Sequence, residues 1–149
     1  MLTIGCWILT IWSAANLAIS AKIIVDTLLR DGHTPALFLI LTEADVAALS
    51  SETIATLDSI AVFANGLNVG FCILALCLIW RGLFRKKAWC LAGLTLGFFA
   101  AWFAGAAADF VVGNVAIWVS VVSLTILAAG LASSGIGLLN SRTATNLGG

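Results

Sequence analysis

The sequence predicts an all-α protein: a four-helix transmembrane bundle with a short extracytoplasmic amphipathic helix between spans one and two. Hydrophobic residues make up 62% of the 149 residues and charged residues only 9%, and the mean hydropathy is +1.13. Soluble domains carry about 25% charged residues, so a lipid bilayer is the solvent that suits this chain. At about 20 residues per span, the length suits a single transmembrane domain, residues 1–149, of about four spans.

Four apolar stretches give the predicted spans, at about residues 4–29, 52–82, 88–108 and 115–139. The first would form about 39 Å of helix, longer than the roughly 30 Å hydrocarbon core, so we expect it to tilt or protrude. No Lys or Arg precedes Lys22, so this stretch lacks the positive start of a signal peptide and is predicted to be a retained span. Asp109 is expected to end span three, and polar residues 140–149 to form a mobile tail.

The connection between spans one and two is the longest in the chain. Thr42 and Asp45 have near capping-box spacing, which predicts a short helix from Glu43 to Leu49. Ser50 or Ser51 is expected to cap the helix that follows. His33 stands alone in this connection and is expected to be a solvated loop residue.

Charges are sorted by sign along the chain. The connection between spans two and three holds the basic residues Arg81, Arg85, Lys86 and Lys87. The connection between spans one and two, together with the first residues of the second stretch, holds the acids Asp31, Glu43, Asp45, Glu52 and Asp58. Since cytoplasmic loops carry an excess of Lys and Arg, both termini are predicted to be cytoplasmic, in a bacterial inner (plasma) membrane. Lys22 and Arg30 fall on the outer side against this rule. We expect the basic turn to orient the chain and to do nothing more.

Small residues recur at four-residue intervals and define candidate packing faces. Span three carries Gly93, Gly97, Ala101 and Gly105, and span two carries Gly66 and Gly70. Span four offers Gly130, Ser133, Ser134 and Gly137. Such faces let two helix backbones approach closely, which drives helix association in lipid. The favoured interpretation is packing within the bundle, and the alternative is an interface for a second copy or a partner along span three.

Polar residues near the outer ends of the spans define a candidate cavity, formed by Asp109, Asn114, Asn65, Asn68, Asp26 and Lys22. Polar groups at membrane depth are functional candidates by default. The simpler interpretation makes Asp109 an ordinary interfacial carboxylate and the asparagines partners in hydrogen bonds between helices.

Several function classes find no support in the sequence. No ionisable residue lies deep in a span, which argues against a proton-coupled pump. Cys6, Cys72, Cys77 and Cys90 form no C-x-x-C pair, and with a single histidine we predict no metal or haem site. No catalytic motif is present, so no catalytic residue and no cofactor are predicted. The net charge of zero argues against a nucleic-acid partner.

Three stretches resemble small four-span bacterial integral membrane proteins of the loosely grouped DoxX-like type. They are Leu57-Asp58-Ser59-Ile60 through Asn68, Ile79-Trp80-Arg81-Gly82-Leu83, and Ala108-Asp109-Phe110 with Gly113-Asn114. The resemblance covers most of the chain and implies the four-span fold. It carries over no catalytic residue.

The leading functional hypothesis is therefore a non-enzymatic accessory or scaffold subunit. It would associate through its small-residue faces with itself or with a larger membrane complex, in contact with the lipid bilayer. The alternative is an oligomeric transporter for a small solute or lipid, with an outer-facing polar cavity near Asp109. A membrane enzyme comes third, since it would require Asp109, His33 and Glu52 or Asp58 to converge.

Overall fold

The computed structural model describes residues 1–29, 43–112 and 117–146, which form helices joined by short turns and contain no β-strand. The helices are α1 (Leu2–Leu29), α2 (Glu43–Ala47), α3 (Ser51–Leu78), α4 (Ala88–Val112) and α5 (Ile117–Asn146). A π-helical turn, Ile79–Leu83, continues α3. Four of the described helices are long and apolar enough to cross a membrane. The all-helical fold and the four apolar helices are thus confirmed.

Local side-chain hydrogen bonds explain why polar residues are tolerated in these apolar helices. The Ser50 hydroxyl accepts a hydrogen bond from the Thr53 backbone N–H at 3.1 Å, so Ser50 caps α3, one of the two predicted caps. Thr10, Thr27 and Thr95 each donate to the carbonyl four residues earlier, at 2.7–2.8 Å. Such back-bonding satisfies a hydroxyl inside its own helix.

Two predicted ends differ from the structure. Helix α4 continues through Asp109 to Val112, because the apolar run Phe110, Val111 and Val112 follows and no Gly or Pro lies between Asp109 and Gly113. Helix α5 continues to Asn146, so residues 140–146 are helical rather than a mobile tail. The Ser141 and Thr143 hydroxyls donate to the carbonyls of Leu138 and Leu139, and neither Gly nor Pro breaks this segment. Residues 147–149 lie outside the described ranges.

Contacts divide the chain into two compact units. Unit 1 comprises Met1–Ser13 and Leu74–Gly149, and unit 2 comprises Ala14–Ile73. In unit 1, α4 packs along α5 and against the π-helical turn. Phe98, Leu94 and Leu127 are at most 2% exposed there, so this contact is a dry apolar core.

In unit 1, the start of α1 lies in close contact with α5. A Cβ on Gly5 would lie 2.6 Å from the Gly130 carbonyl oxygen and would overlap the Ser134 hydroxyl. One on Gly137 would overlap the Leu2 backbone. The small residues of α5 are therefore required for this contact, which fits the favoured interpretation for span four.

The π-helical turn ends α3 with a wider hydrogen-bond ring. The Phe84 N–H donates to the Ile79 carbonyl five residues earlier, at 2.9 Å. A Cβ on Gly82 would overlap the Cys90 sulfur, so only glycine lets the start of α4 pack here. Lys86 follows with a φ of 60°, in the left-handed region that favours glycine.

Candidate functional site

The residues predicted to form a polar cavity divide between described and undescribed parts of the chain. In unit 2, the Lys22 ammonium forms an ion pair with the Asp26 carboxylate one turn along α1. The Asn68 amide donates to the buried Ser20 hydroxyl at 2.8 Å, joining α3 to α1. The Asn65 amide instead donates to the Ala61 carbonyl of its own helix, also at 2.8 Å. Of these, Asn68 makes the predicted bond between helices.

Asp109 lies in α4, but its side chain is outside the described part of the structure, as are Asn114, His33 and residues 30–42. The cavity that would unite Asp109 and Asn114 with the asparagines of α3 therefore stays a prediction. The short helix α2 begins at Glu43, where the predicted one begins, and ends two residues earlier, at Ala47.

Unit 2 contains an open groove of about 540 Å³ between the end of α1 and the start of α3. Apolar and polar side chains line it: Thr27, Leu28, Ala55, Asp58, Ser59, Val62 and Phe63. The Thr27 and Ser59 hydroxyls donate within their own helices, to the carbonyls of Ile23 and Ala55. Asp58, which is half-buried, is the one ionisable residue in this lining. We call this feature the Asp58 groove.

The predicted small-residue faces differ in what covers them. A Cβ added at Gly66, Gly70, Gly93 or Gly105 would meet no described atom within 4 Å. Gly97 is half-buried and Ala101 is exposed. By contrast, Gly130, Ser134 and Gly137 of α5 are in tight contact with α1. The face of α4, which carried the longest small-residue pattern, is thus largely open in the described chain.

The basic turn exposes four cationic side chains on a hydrogen-bonded backbone. Arg81, Arg85, Lys86 and Lys87 are all exposed, and none forms an ion pair with another described residue. The Gly82 carbonyl accepts from the N–H groups of Arg85 at 3.1 Å and Lys87 at 3.0 Å. Gly82 and Leu83 beneath them are buried. The turn therefore concentrates four positive charges, without an ion-pair partner among the described residues, on a hydrogen-bonded backbone.

An aromatic cluster lies at the same end of unit 1. The rings of Trp7 and Trp80 meet edge to face, with centroids 5.4 Å apart. Phe84, within the turn, lies 6.3 Å from Trp7 and 5.0 Å from Trp80. Both tryptophans are 48% exposed. Half-exposed indoles beside cations are typical of a membrane–water interface.

A second, apolar groove of about 260 Å³ begins directly after the basic turn. It runs between α4 and α5 and is lined by Ala88, Leu91, Gly135, Leu138 and Leu139. We call it the apolar groove. Its first residue, Ala88, directly follows Lys87 in the chain, so the groove opens beside the cations.

The cysteines form no disulfide bond in the described structure. All four are unpaired; Cys6, Cys72 and Cys90 are buried, and Cys77 is exposed. Across the described residues, no group of three or more His, Cys, Asp or Glu side chains could hold a metal ion.

Sequence reasoning missed three features of these sites. Gly5 belongs to no repeat of small residues, so the sequence gives no signal for its contact with α5. Phe84 was not recognised as part of an aromatic cluster, although an aromatic residue inside a basic turn was a usable signal. The apolar groove has no sequence signal, since its lining joins residues of α4 and α5 that are more than 40 positions apart.

Comparison of the chain with known protein families, with curated proteins and with solved structures finds no match. The DoxX-like resemblance therefore stays a hypothesis.

Proposed function

We propose that this chain is a four-span protein of a bacterial inner membrane, folded as a helix bundle with both termini cytoplasmic. Four helices of sufficient length and apolarity support this proposal, as do the large apolar side chains exposed along them, such as Leu29, Leu96 and Phe103. The basic turn supports the orientation, because Lys and Arg favour the cytoplasmic side. Helix α2 then lies outside, as the short amphipathic helix of the extracytoplasmic cap.

Its role in this proposal is that of a non-enzymatic scaffold that associates laterally through the small-residue faces of α4 and α3. The carrying observation is the unused space at Gly93 and Gly105, where an added Cβ would meet no described atom. Glycines in a helix lower its stability by roughly 0.8–1.0 kcal/mol relative to alanine, so an open row of them needs a compensating contact. A second copy of this chain is the simplest partner, and a larger membrane complex is the other.

Replacing Gly105 by leucine tests this proposal. A Cβ at position 105 meets no described atom within 4 Å, so the fold should persist. Self-association should weaken by about tenfold, equivalent to about 1.4 kcal/mol of lost packing. Size-exclusion chromatography with light scattering in detergent measures this, together with chemical crosslinking in native membranes.

Gly5→Leu is the matched control, because Gly5 lies against α5 within the same chain. This variant should lose thermal stability in the monomer itself. An oligomer unchanged by Gly105→Leu, or a wild-type chain that is monomeric in membranes and purifies without a partner, would contradict the scaffold role.

The Asp58 groove favours a second candidate, an oligomeric transporter for a small solute. A carboxylate beside Leu28, Val62 and Phe63 suits a ligand that carries a positive charge on an apolar body. Tetraphenylphosphonium is a suitable probe. Asp58→Asn should reduce its binding to the purified chain at least several-fold, whereas Asp45→Asn, an exposed acid outside the groove, should not. Equal binding by both variants would dismiss this candidate.

A further inference from the structure

The basic turn and the apolar groove are contiguous, and together they are complementary to the headgroup and the acyl chain of a lipid. The four cations of the turn have no ion-pair partner among the described residues. The groove begins at the next residue, Ala88, and all five of its lining side chains are apolar or glycine. A charged head site joined to an apolar channel is complementary to an amphiphile of opposite charge.

The volume of the groove narrows the choice of occupant. About 260 Å³ is less than the roughly 300–1,000 Å³ of a small-molecule pocket. It suits a segment of one acyl chain rather than a complete ligand. Gly135 keeps the groove open, because a Cβ there would lie 3.6 Å from the Leu91 side chain, in ordinary van der Waals contact. A longer side chain at position 135 would therefore occupy the space of the acyl segment.

The turn is also organised for binding before any ligand arrives. Its backbone is held by the two hydrogen bonds to the Gly82 carbonyl and by the packing of Gly82 on Cys90. A rigid support lowers the entropy lost on binding. The half-exposed Trp7 and Trp80 set this end of the unit at the depth of lipid headgroups.

We propose that the basic turn and the apolar groove bind one anionic phospholipid. Its phosphate lies at Lys86 and Lys87, and a segment of one acyl chain lies between α4 and α5. This inference rests on the proposed membrane insertion but does not depend on the oligomeric state or on the orientation. It gives the turn a binding role beyond orienting the chain.

Native mass spectrometry of the full chain in detergent tests this proposal by titration with phosphatidylglycerol or phosphatidylcholine. The wild type should retain one phosphatidylglycerol in preference to phosphatidylcholine. Lys87→Gln should reduce that preference by about fivefold. Lys22→Gln is the matched control: it removes one positive charge that is already compensated by Asp26, and it should leave the preference unchanged.

The groove is tested separately with Gly135→Leu, which should lower the affinity for both lipids, while Ala132→Leu, on the same helix outside the groove, should not. If Gly135→Leu fails to fold, Leu139→Asn replaces it, since that side chain is 65% exposed. Inorganic phosphate distinguishes a lipid headgroup from a free phosphate ion as the anion that the turn binds. At a concentration equal to that of the lipid, it should not displace the bound lipid.

Equal retention of the two lipids by the wild type would overturn the proposal. So would displacement by inorganic phosphate, which would leave a simple anion site, or full binding by the groove variant. Native mass spectrometry measures lipid occupancy independently of oligomer size. A lipid-selective chain that is monomeric and purifies without a partner would therefore refute the scaffold role alone, and an oligomer without lipid selectivity would refute this inference alone.

Discussion

Gly82 and Cys90 show how single residues determine where two helices meet. Gly82 is buried in the π-helical turn, and Cys90 is fully buried near the start of α4. A Cβ at position 82 would overlap the Cys90 sulfur and lie 3.0 Å from the Cys90 Cβ. A rotamer change of Cys90 would move only the sulfur, because the Cys90 Cβ is held by the backbone of α4. Cysteine thus acts here as a small apolar residue.

We therefore expect Gly82→Ala to destabilise the chain by about 1–3 kcal/mol through overpacking. In a Cys90→Ala background the same change should cost less, because the overlapping sulfur is absent. Unfolding in mixed micelles followed by circular dichroism gives both values. An equal penalty in the two backgrounds would show that the cost comes from the turn backbone and not from this contact.

Between helices, polar side chains make a few specific bonds within an otherwise apolar surface. The Trp12 indole donates to the Ser123 hydroxyl at 3.0 Å, joining α1 to α5. The Trp102 indole donates to the Ser120 carbonyl at 2.9 Å, joining α4 to α5. In unit 2 the bond from Asn68 to Ser20 joins α3 to α1. These bonds fix the rotation of one helix against the next, while close packing supplies most of the attraction.

Asn68 and Asn65 form a matched pair for measuring such a bond. Both are half-buried on α3, but only the described bond of Asn68 reaches another helix. Asn68→Leu should cost about 0.6 kcal/mol, with an upper value of roughly 1.7 kcal/mol. Asn65→Leu should have a smaller effect, since its bond is within α3. Unfolding in micelles distinguishes them, and a larger loss for Asn65→Leu would contradict the assignment.

Across the whole molecule, buried side chains and charges are distributed unevenly. Most buried residues of the described chain belong to unit 1, whereas Ser20, Val46 and Cys72 are the ones in unit 2. Four cations without an ion-pair partner in the described part of the chain lie in one turn, and Lys22 is paired with an acid. Stability is therefore expected to reside mainly in unit 1, and the charge asymmetry is expected to set the orientation in the bilayer.

The orientation predicts which side of the membrane each connection faces. Lys87→Cys should react with a membrane-impermeant maleimide only after cells are opened, and Glu52→Cys should react in intact cells. Both positions are exposed, so access to water decides the result. The unmodified chain serves as the control for its four native cysteines. Labelling of Lys87→Cys in intact cells would reverse the assigned topology.

The sequence by itself determined the features that depend on neighbouring residues. The four apolar helices, the basic turn and the Ser50 cap follow from hydropathy, charge and capping chemistry, which act within about one helix length. Some predicted helix ends differ from the structure. Helix α4 continues past Asp109, because one acid lowers the stability of a helix far less than a Gly or Pro does.

Only the tertiary structure decided which surfaces are used. In the sequence, the glycines of α3, α4 and α5 look equivalent, yet Gly130 and Gly137 of α5 contact α1 while Gly66, Gly70, Gly93 and Gly105 stay open. Likewise, both grooves and the aromatic cluster join residues that are distant in the chain. The physical reason is that helix periodicity specifies a face but not its partner. The partner depends on the rotation and crossing of whole helices, and so on contacts between distant residues.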